Sequence, residues 1–214
     1  MSKTKITPFL VLLLMFFTNL SYPQFVTDHS DITNEDLINA LSFAGLDIFK
    51  FNLDSLKNDC NLLILSDEYA GKNNLIRTDT LLNINTLYKK WIKDTSWIDD
   101  YINQIRFITK VENDSWDKVK LYIDTKPVGT KHELTIDKKY ARKHYWVKFS
   151  KSKLALDKKI PLLFLGSEWD DIIGGKKVPR FCSHKNISPD LSDETIKFIP
   201  HFYIISYLLK AKEI

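Results

Sequence analysis

Residues 138–146 read Lys138-Lys139-Tyr140-Ala141-Arg142-Lys143-His144-Tyr145-Trp146, four cations interleaved with three aromatic rings. An anionic polymer asks for that pattern, because cations take its charged groups and rings take stacking contacts. A protein outside the cytoplasm rarely meets nucleic acid, so an acidic glycan or a phospholipid headgroup is the better partner. Lys138, Lys139, Arg142, Lys143, Tyr145 and Trp146 are therefore candidate binding residues. Trp169 joins them as a ring beside a predicted turn, where exposure would mark a binding surface and burial would make it core filling; periodicity does not decide between the two. The plainer reading is a strand edge kept solvated by lysine, and on sequence alone it outweighs the binding one.

Other constellations carry less. Cys182-x-His184, with His201 further on, offers metal-capable atoms, but a structural zinc site takes four ligands in two spaced pairs. No metal and no cofactor are expected. Ser167, Glu168, Asp170 and Asp171 lie in a Gly- and Pro-bearing stretch, residues 166–189, which His184 shares. A hydrolase there would use Ser167, Asp170 or His184. However, Gly166-Ser167 lacks the G-x-S-x-G elbow, and the acids lack the D-x-D-x-D-G spacing of a calcium loop. Asp67 and Glu68 are neighbours on a strand pattern and point to opposite faces, so they do not work as a pair.

The elements that must position these residues are mostly strands. Thr33 is an N-cap with Asp36 three residues on, and Ile32 and Leu37 form a hydrophobic staple. Leu37, Ile38, Leu41 and Ala44 then make an apolar stripe that ends at Gly45, a left-handed C-cap. A helix of three turns needs a surface to lie on. Strand alternation follows over residues 47–53, and 61–69 with 75–84 reads as a hairpin around Gly71-Lys72-Asn73-Asn74. Residues 86–100 fit either a helical face or a loop pinned by Trp91 and Trp97. A second hairpin pairs the alternation at Ile105, Phe107 and Val111 with that at Val119, Leu121 and Ile123. Strands are expected again at 132–136, 145–149, 160–165 and 201–210, with 166–189 as a long surface excursion. The fold class is α+β: one N-terminal helix packed on a mainly antiparallel sheet of six to eight strands, in a single domain over residues 25–214.

Lys3 and Lys5 precede nine apolar residues, Phe9 to Phe17, and a more polar Thr18-Asn19-Leu20-Ser21. This is the order of a secretory signal peptide, here residues 1–24, cut near Ser21 to Gln24. The apolar run is well short of the roughly 20 residues that span a bilayer, and no later stretch reaches that length. Removing residues 1–24 takes away two lysines and no acid, so the net charge drops from +4 to +2. Bulk charge then argues for neither nucleic acid nor an anionic membrane. The mature chain is expected in the periplasm or outside the cell. There, Cys60 and Cys182 form a possible disulfide, with two buried thiols as the alternative.

Ala44-Gly45-Leu46-Asp47-Ile48-Phe49-Lys50-Phe51 after the capped helix, and Asp67-Glu68-Tyr69 before a glycine turn, resemble small exported proteins of unknown function from Bacteroidetes. The resemblance spans most of the mature chain and implies an exported bacterial protein; it supplies no catalytic residues. The expected function is a non-enzymatic exported domain that binds a protein or glycan partner in the cell envelope. The alternatives are a hydrolase with its site on residues 166–189, and a lipid or small-molecule carrier whose helix covers a curved sheet around an apolar cavity.

Overall fold

A computed structural model describes residues 33–53, 59–71, 74–93, 96–111, 116–150, 155–181 and 186–212. The predicted signal peptide, the staple residue Ile32, Cys182 and His184 lie outside these residues. Helix α1 (Asn34–Phe43) is built by its own ends. Asp36 Oδ2 accepts from the Thr33 amide at 2.8 Å, and the Asp36 amide donates back to Thr33 Oγ1 at 3.2 Å. Gly45, at φ +76°, closes the other end with its amide on the Ser42 carbonyl.

Four strands form one sheet in the order β1 (Leu46–Asn52), β6 (Gln104–Val111), β7 (Lys118–Asp124), β8 (Gly129–Thr135). Six form another in the order β13 (Asn186–Ile187), β9 (His144–Phe149), β10 (Lys159–Ser167), β14 (His201–Ala211), β2 (Cys60–Ala70), β3 (Asn74–Asn85). Pairing is antiparallel except between β13 and β9. Two separate hairpins complete the strands: β4 (Leu87–Ile92) with β5 (Ser96–Tyr101), and β11 (Trp169–Ile173) with β12 (Lys176–Arg180).

The inner faces of the two large sheets meet in one core. Ile105, Phe107, Leu121 and Ile123 come from the four-stranded sheet, and Leu62, Ile64, Leu163, Tyr203 and Ile205 from the six-stranded one. On the outer face of the larger sheet a second cluster gathers Val147, Phe149, Phe164, Phe202 and Ile204 under Ile187, Ile196 and Ile199. Gly166 belongs to that outer face, where a Cβ would come within 2.3 Å of the Phe164 ring. Glycine is there so that Phe164 can stack on Phe202 at 5.0 Å, and no nucleophile elbow is involved. Pro161 sits at the register shift of β10 against β14, between Pro161 and Leu163, and such irregularities are where a strand tolerates proline.

This corrects the expected architecture. The chain is mostly β, with fourteen strands in several sheets among the described residues, and no residue of α1 is buried. Each large sheet covers the other's apolar face, which is the role assigned to the helix from sequence. Residues 86–100 form the β4–β5 hairpin, with Trp91 opposite Trp97. Residues 166–189 also carry structure. The pair Ile173–Lys176 is closed by Gly174-Gly175 at φ +58° and +77°, the left-handed values that a two-residue hairpin turn demands.

Candidate functional site

At one end of the six-stranded sheet the inner face turns polar. Glu68 on β2, His201 on β14 and Ser167 with His144 at the ends of β10 and β9 are all buried. Strand register makes them neighbours: Tyr203 lies opposite Glu68, Glu68 opposite Arg77, and Ser167 opposite His144. Glu68 Oε1 accepts from His201 Nε2 at 2.9 Å, and Glu68 Oε2 accepts from Arg77 Nε at 2.6 Å. A register shift between Glu68 and Tyr69 leaves Ile76 as an extra residue on β3, and such bulges re-aim the side chains beside them. Here the re-aimed side chain is Arg77.

The hydrogen bonds fix the protonation pattern. Burial pushes the Glu68 carboxyl up, but the bonds from His201 and Arg77 outweigh it and hold the group below the usual glutamate value. Burial lowers His201 despite the attraction of Glu68, so its ring is neutral with the proton on Nε2. The His144 Nδ1 can only donate to the Arg142 carbonyl, 2.5 Å away, and burial takes that ring down to about 4. His144 Nε2, His201 Nδ1 and Ser167 Oγ are then buried atoms without a protein partner. The two imidazoles meet edge to face at 6.0 Å, and Tyr140 stacks on His201 at 5.0 Å. Tyr203 donates its phenolic proton to the Thr135 carbonyl at 2.7 Å, and burial raises that phenol to about 12.

Beyond the end of β10 lies a cleft of about 360 Å³, lined by Trp169, Asp170, Asp171, Arg180, Phe181, Thr195 and Phe198, with Trp169 packed against the outer-face cluster. Trp169 stacks with Phe198 at 6.5 Å, and Tyr145 stacks with Phe181 at 4.7 Å. Phe198 is 63% exposed and Phe181 49%. Arg142 Nη2 reaches Asp170 Oδ2 at 2.7 Å, and Arg180 Nε stands 3.4 Å from Asp171 Oδ2. That Arg142 hydrogen bond holds Asp170 below the usual aspartate range and raises Arg142 in turn. Lys143 sits over the Tyr145 ring at 5.2 Å, a cation–π distance, while its carbonyl accepts the Glu168 amide.

The structure thus brings together Arg142, Lys143, Tyr145 and Trp169 of the predicted binding set. Trp146 points the other way, packing against the core at 6.2 Å from Phe49. Lys138 and Lys139 lie on a 3-10 turn, Lys138–Tyr140, capped by Asp137. Lys139 pairs with Asp137 at 3.2 Å and covers Tyr140 at 4.7 Å. Asp67 and Glu68 do face apart: Asp67 accepts from Thr78 at 2.6 Å and pairs with Lys159, away from His201. Cys60 carries a free, buried thiol 3.6 Å from Thr86 Oγ1, so the predicted disulfide is absent from its sulfur. No group of three or more metal-ligating side chains, and no helix long and apolar enough to cross a membrane, occurs among the described residues.

Sequence reading missed Phe181, Phe198 and Arg180, and it missed the Glu68–His201 pair. A usable signal existed for His201. It heads the alternation Tyr203, Ile205, Tyr207, Leu209, so it had to point inward and needed a buried partner.

These features define a mostly β protein of several sheets, with a polar row buried at one sheet end and a separate aromatic-walled cleft. The chain belongs to the family described as domain of unknown function DUF5041, whose model matches residues 21–211. No curated protein matches it, and no solved structure does.

Proposed function

We propose that this chain is an exported, non-enzymatic binding domain, placed in the periplasm or outside the cell, whose partner is a protein or glycan of the cell envelope. The observation that carries the reading is the cleft between the Trp169–Phe198 and Tyr145–Phe181 stacks. It leaves the Phe198 and Phe181 rings exposed beside paired carboxylates and arginines, and exposed aromatic surface of that kind marks recognition sites. Support for export is the order of residues 1–24, and the family match leaves most of that segment outside it. The Bacteroidetes origin rests on the sequence resemblance of residues 44–51 and 67–69 and belongs to the same proposal.

The test is crosslinking of the tagged full chain in intact cells, with partners identified by mass spectrometry. We expect one recurring envelope component that disappears when Trp169 and Phe181 are both replaced by Ala. A partner set that ignores those substitutions, or none at all from a folded chain, overturns the assignment. Intact mass of the product tests export: a full-length mass counts against it, and loss of about residues 1–24 supports it.

A further inference from the structure

We infer that the cleft takes an uncharged carbohydrate chain, not the acidic polymer that the basic run at 138–146 calls for. The inference rests on the binding-domain reading above and narrows its ligand. The first argument is charge. Both arginines at the cleft are matched by carboxylates, Arg142 by Asp170 and Arg180 by Asp171. Lys139 is held by Asp137 on the turn, outside the cleft lining. Other charges acting on the Arg142–Asp170 pair are of both signs, Lys177 on Asp170 and Glu168 on Arg142, and Glu194 and Lys197 flank the lining residues Thr195 and Phe198. An anionic ligand that contacts Arg180 or Arg142 would also meet the carboxylate paired with it, Asp171 or Asp170.

The second argument is the chemistry of the walls. A pyranose ring carries apolar C–H faces and an equatorial rim of hydroxyls. The cleft offers the complement: aromatic rings at Trp169, Phe198 and Phe181, and in the same lining the Asp170 and Asp171 carboxylates and the Arg180 guanidinium. Asp has two in-plane acceptor atoms and Arg several in-plane donors, so each matches a pair of adjacent hydroxyls. Such pairs bind a neutral ligand without requiring it to supply charge. The volume, about 360 Å³, is at the small end of the roughly 300–1,000 Å³ range of ligand sites, room for a short stretch of a chain.

The third argument is rigidity. Trp169, Asp170, Asp171 and Arg180 sit on the paired strands β11 and β12, and Phe198 ends a 3-10 helix, Glu194–Phe198, whose Ile196 is anchored in the outer core. Walls already in place lose little ordering entropy on binding, which weak sugar contacts need.

The experiment is isothermal titration of the purified full chain with cellohexaose, laminarihexaose, maltohexaose and xylohexaose, and with hexagalacturonate as the acidic probe, at 20 and 300 mM NaCl. We expect at least one neutral hexasaccharide to bind, with affinity changing less than twofold between the two salts. Phe198→Ala and Trp169→Ala should each weaken it at least tenfold, and Lys138→Ala with Lys139→Ala should leave it unchanged. Phe198 is largely exposed, so its variant folds even if Trp169→Ala does not, and urea midpoints check both. Binding of hexagalacturonate alone, falling steeply with salt, overturns the inference and leaves a binding domain standing. So does an absence of neutral binding alongside a crosslinked partner lost in the Trp169 and Phe181 double variant. Absence of both removes the binding-domain reading itself.

Discussion

Arg142 and His144 are two residues apart and belong to opposite environments. The Arg142 side chain is partly exposed and meets Asp170 at the cleft, whereas its carbonyl receives the proton of a ring buried to 4% exposure. Ion pairs at the cleft are open to water and contribute little to stability, because solvent screens them and flexible side chains lose entropy in making them. In the buried row the same kinds of groups are cut off from water, so each unmatched atom is costly and each matched one is hard to replace. The difference teaches a division of labour. The row sits where β9, β10 and β14 end, and the cleft is assembled from the β11–β12 hairpin and the 3-10 helix Glu194–Phe198 in the segments between β10 and β14. Substitutions in the row should therefore be read out in stability, and substitutions in the cleft in binding.

The largest effect that would sharpen this contrast is at Tyr203, a fully buried ring between the polar row and the apolar core. Tyr203→Ala should cost about 3–5 kcal/mol, the range for deleting a buried aromatic side chain. Tyr203→Phe should cost about 1–2 kcal/mol, since it leaves the Thr135 carbonyl without its donor. Urea unfolding measures both. Equal, small losses for the two variants would break the contrast.

Next is acid lability. His144 and His201 are held neutral in the folded chain, while the unfolded chain protonates them near 6.5. Their contribution is whole above that pH and is lost as pH falls toward 4, by up to about 3 kcal/mol for His144. Glu68 acts in the same direction, because a carboxyl held low stabilises above its ordinary value near 4.5 and ceases to below it. His144→Asn keeps an N–H for the Arg142 carbonyl and should flatten the profile between pH 6.5 and 5. Urea midpoints that do not move over that window in the parent chain would show that the row is open to solvent.

What could be read from sequence was what neighbours in sequence decide. The ends of α1 were legible because Thr33, Asp36 and Gly45 act on their own turn, β2 and β3 because an apolar run meets the Gly71-Lys72-Asn73-Asn74 turn, and β6 and β7 because their alternation is regular. The destination of the α1 stripe was not legible, since Leu37 and Leu41 cannot report that two sheets already cover each other. The β4–β5 hairpin was missed because Trp91-Ile92 and Trp97-Ile98 put large apolar groups on both faces, which erases the period of two. For β11–β12, Gly174-Gly175 was a usable turn signal between five-residue strands too short to show a pattern. Of the seven predicted binding residues Trp169 lines the cleft, and Arg142 and Tyr145 touch its lining at Asp170 and Phe181, whereas Phe181 and Phe198 are remote in sequence and are set by tertiary packing. Glu68 and His201, 133 residues apart, meet only because β2 and β14 pair.

A smaller effect tests Ser167. Its hydroxyl is buried and has no protein partner between the two imidazoles. Ser167→Ala should then be neutral or stabilise by up to about 1 kcal/mol, because it removes a desolvated polar group that gains nothing in return. A loss of more than about 1.5 kcal/mol would mean that the hydroxyl is hydrogen-bonded in solution. A buried water bridging Ser167 to the free imidazole nitrogens would do it, and the row would then be a satisfied network.

The smallest effect concerns α1, the region where sequence and structure diverge most. Phe43 is 96% exposed and Leu41 37%. With the sheets covering each other, polar replacements on this helix remove little buried surface, so Phe43→Ser should change stability by no more than about 0.5 kcal/mol. Leu41→Ser has a little more to lose, and the sum of the two should stay below about 1.5 kcal/mol. Urea unfolding of the double variant decides the matter. A larger loss, with the slope of unfolding unchanged, would show that the stripe is covered in solution. The account in which sheet-on-sheet packing leaves the helix without a burial role would then fail.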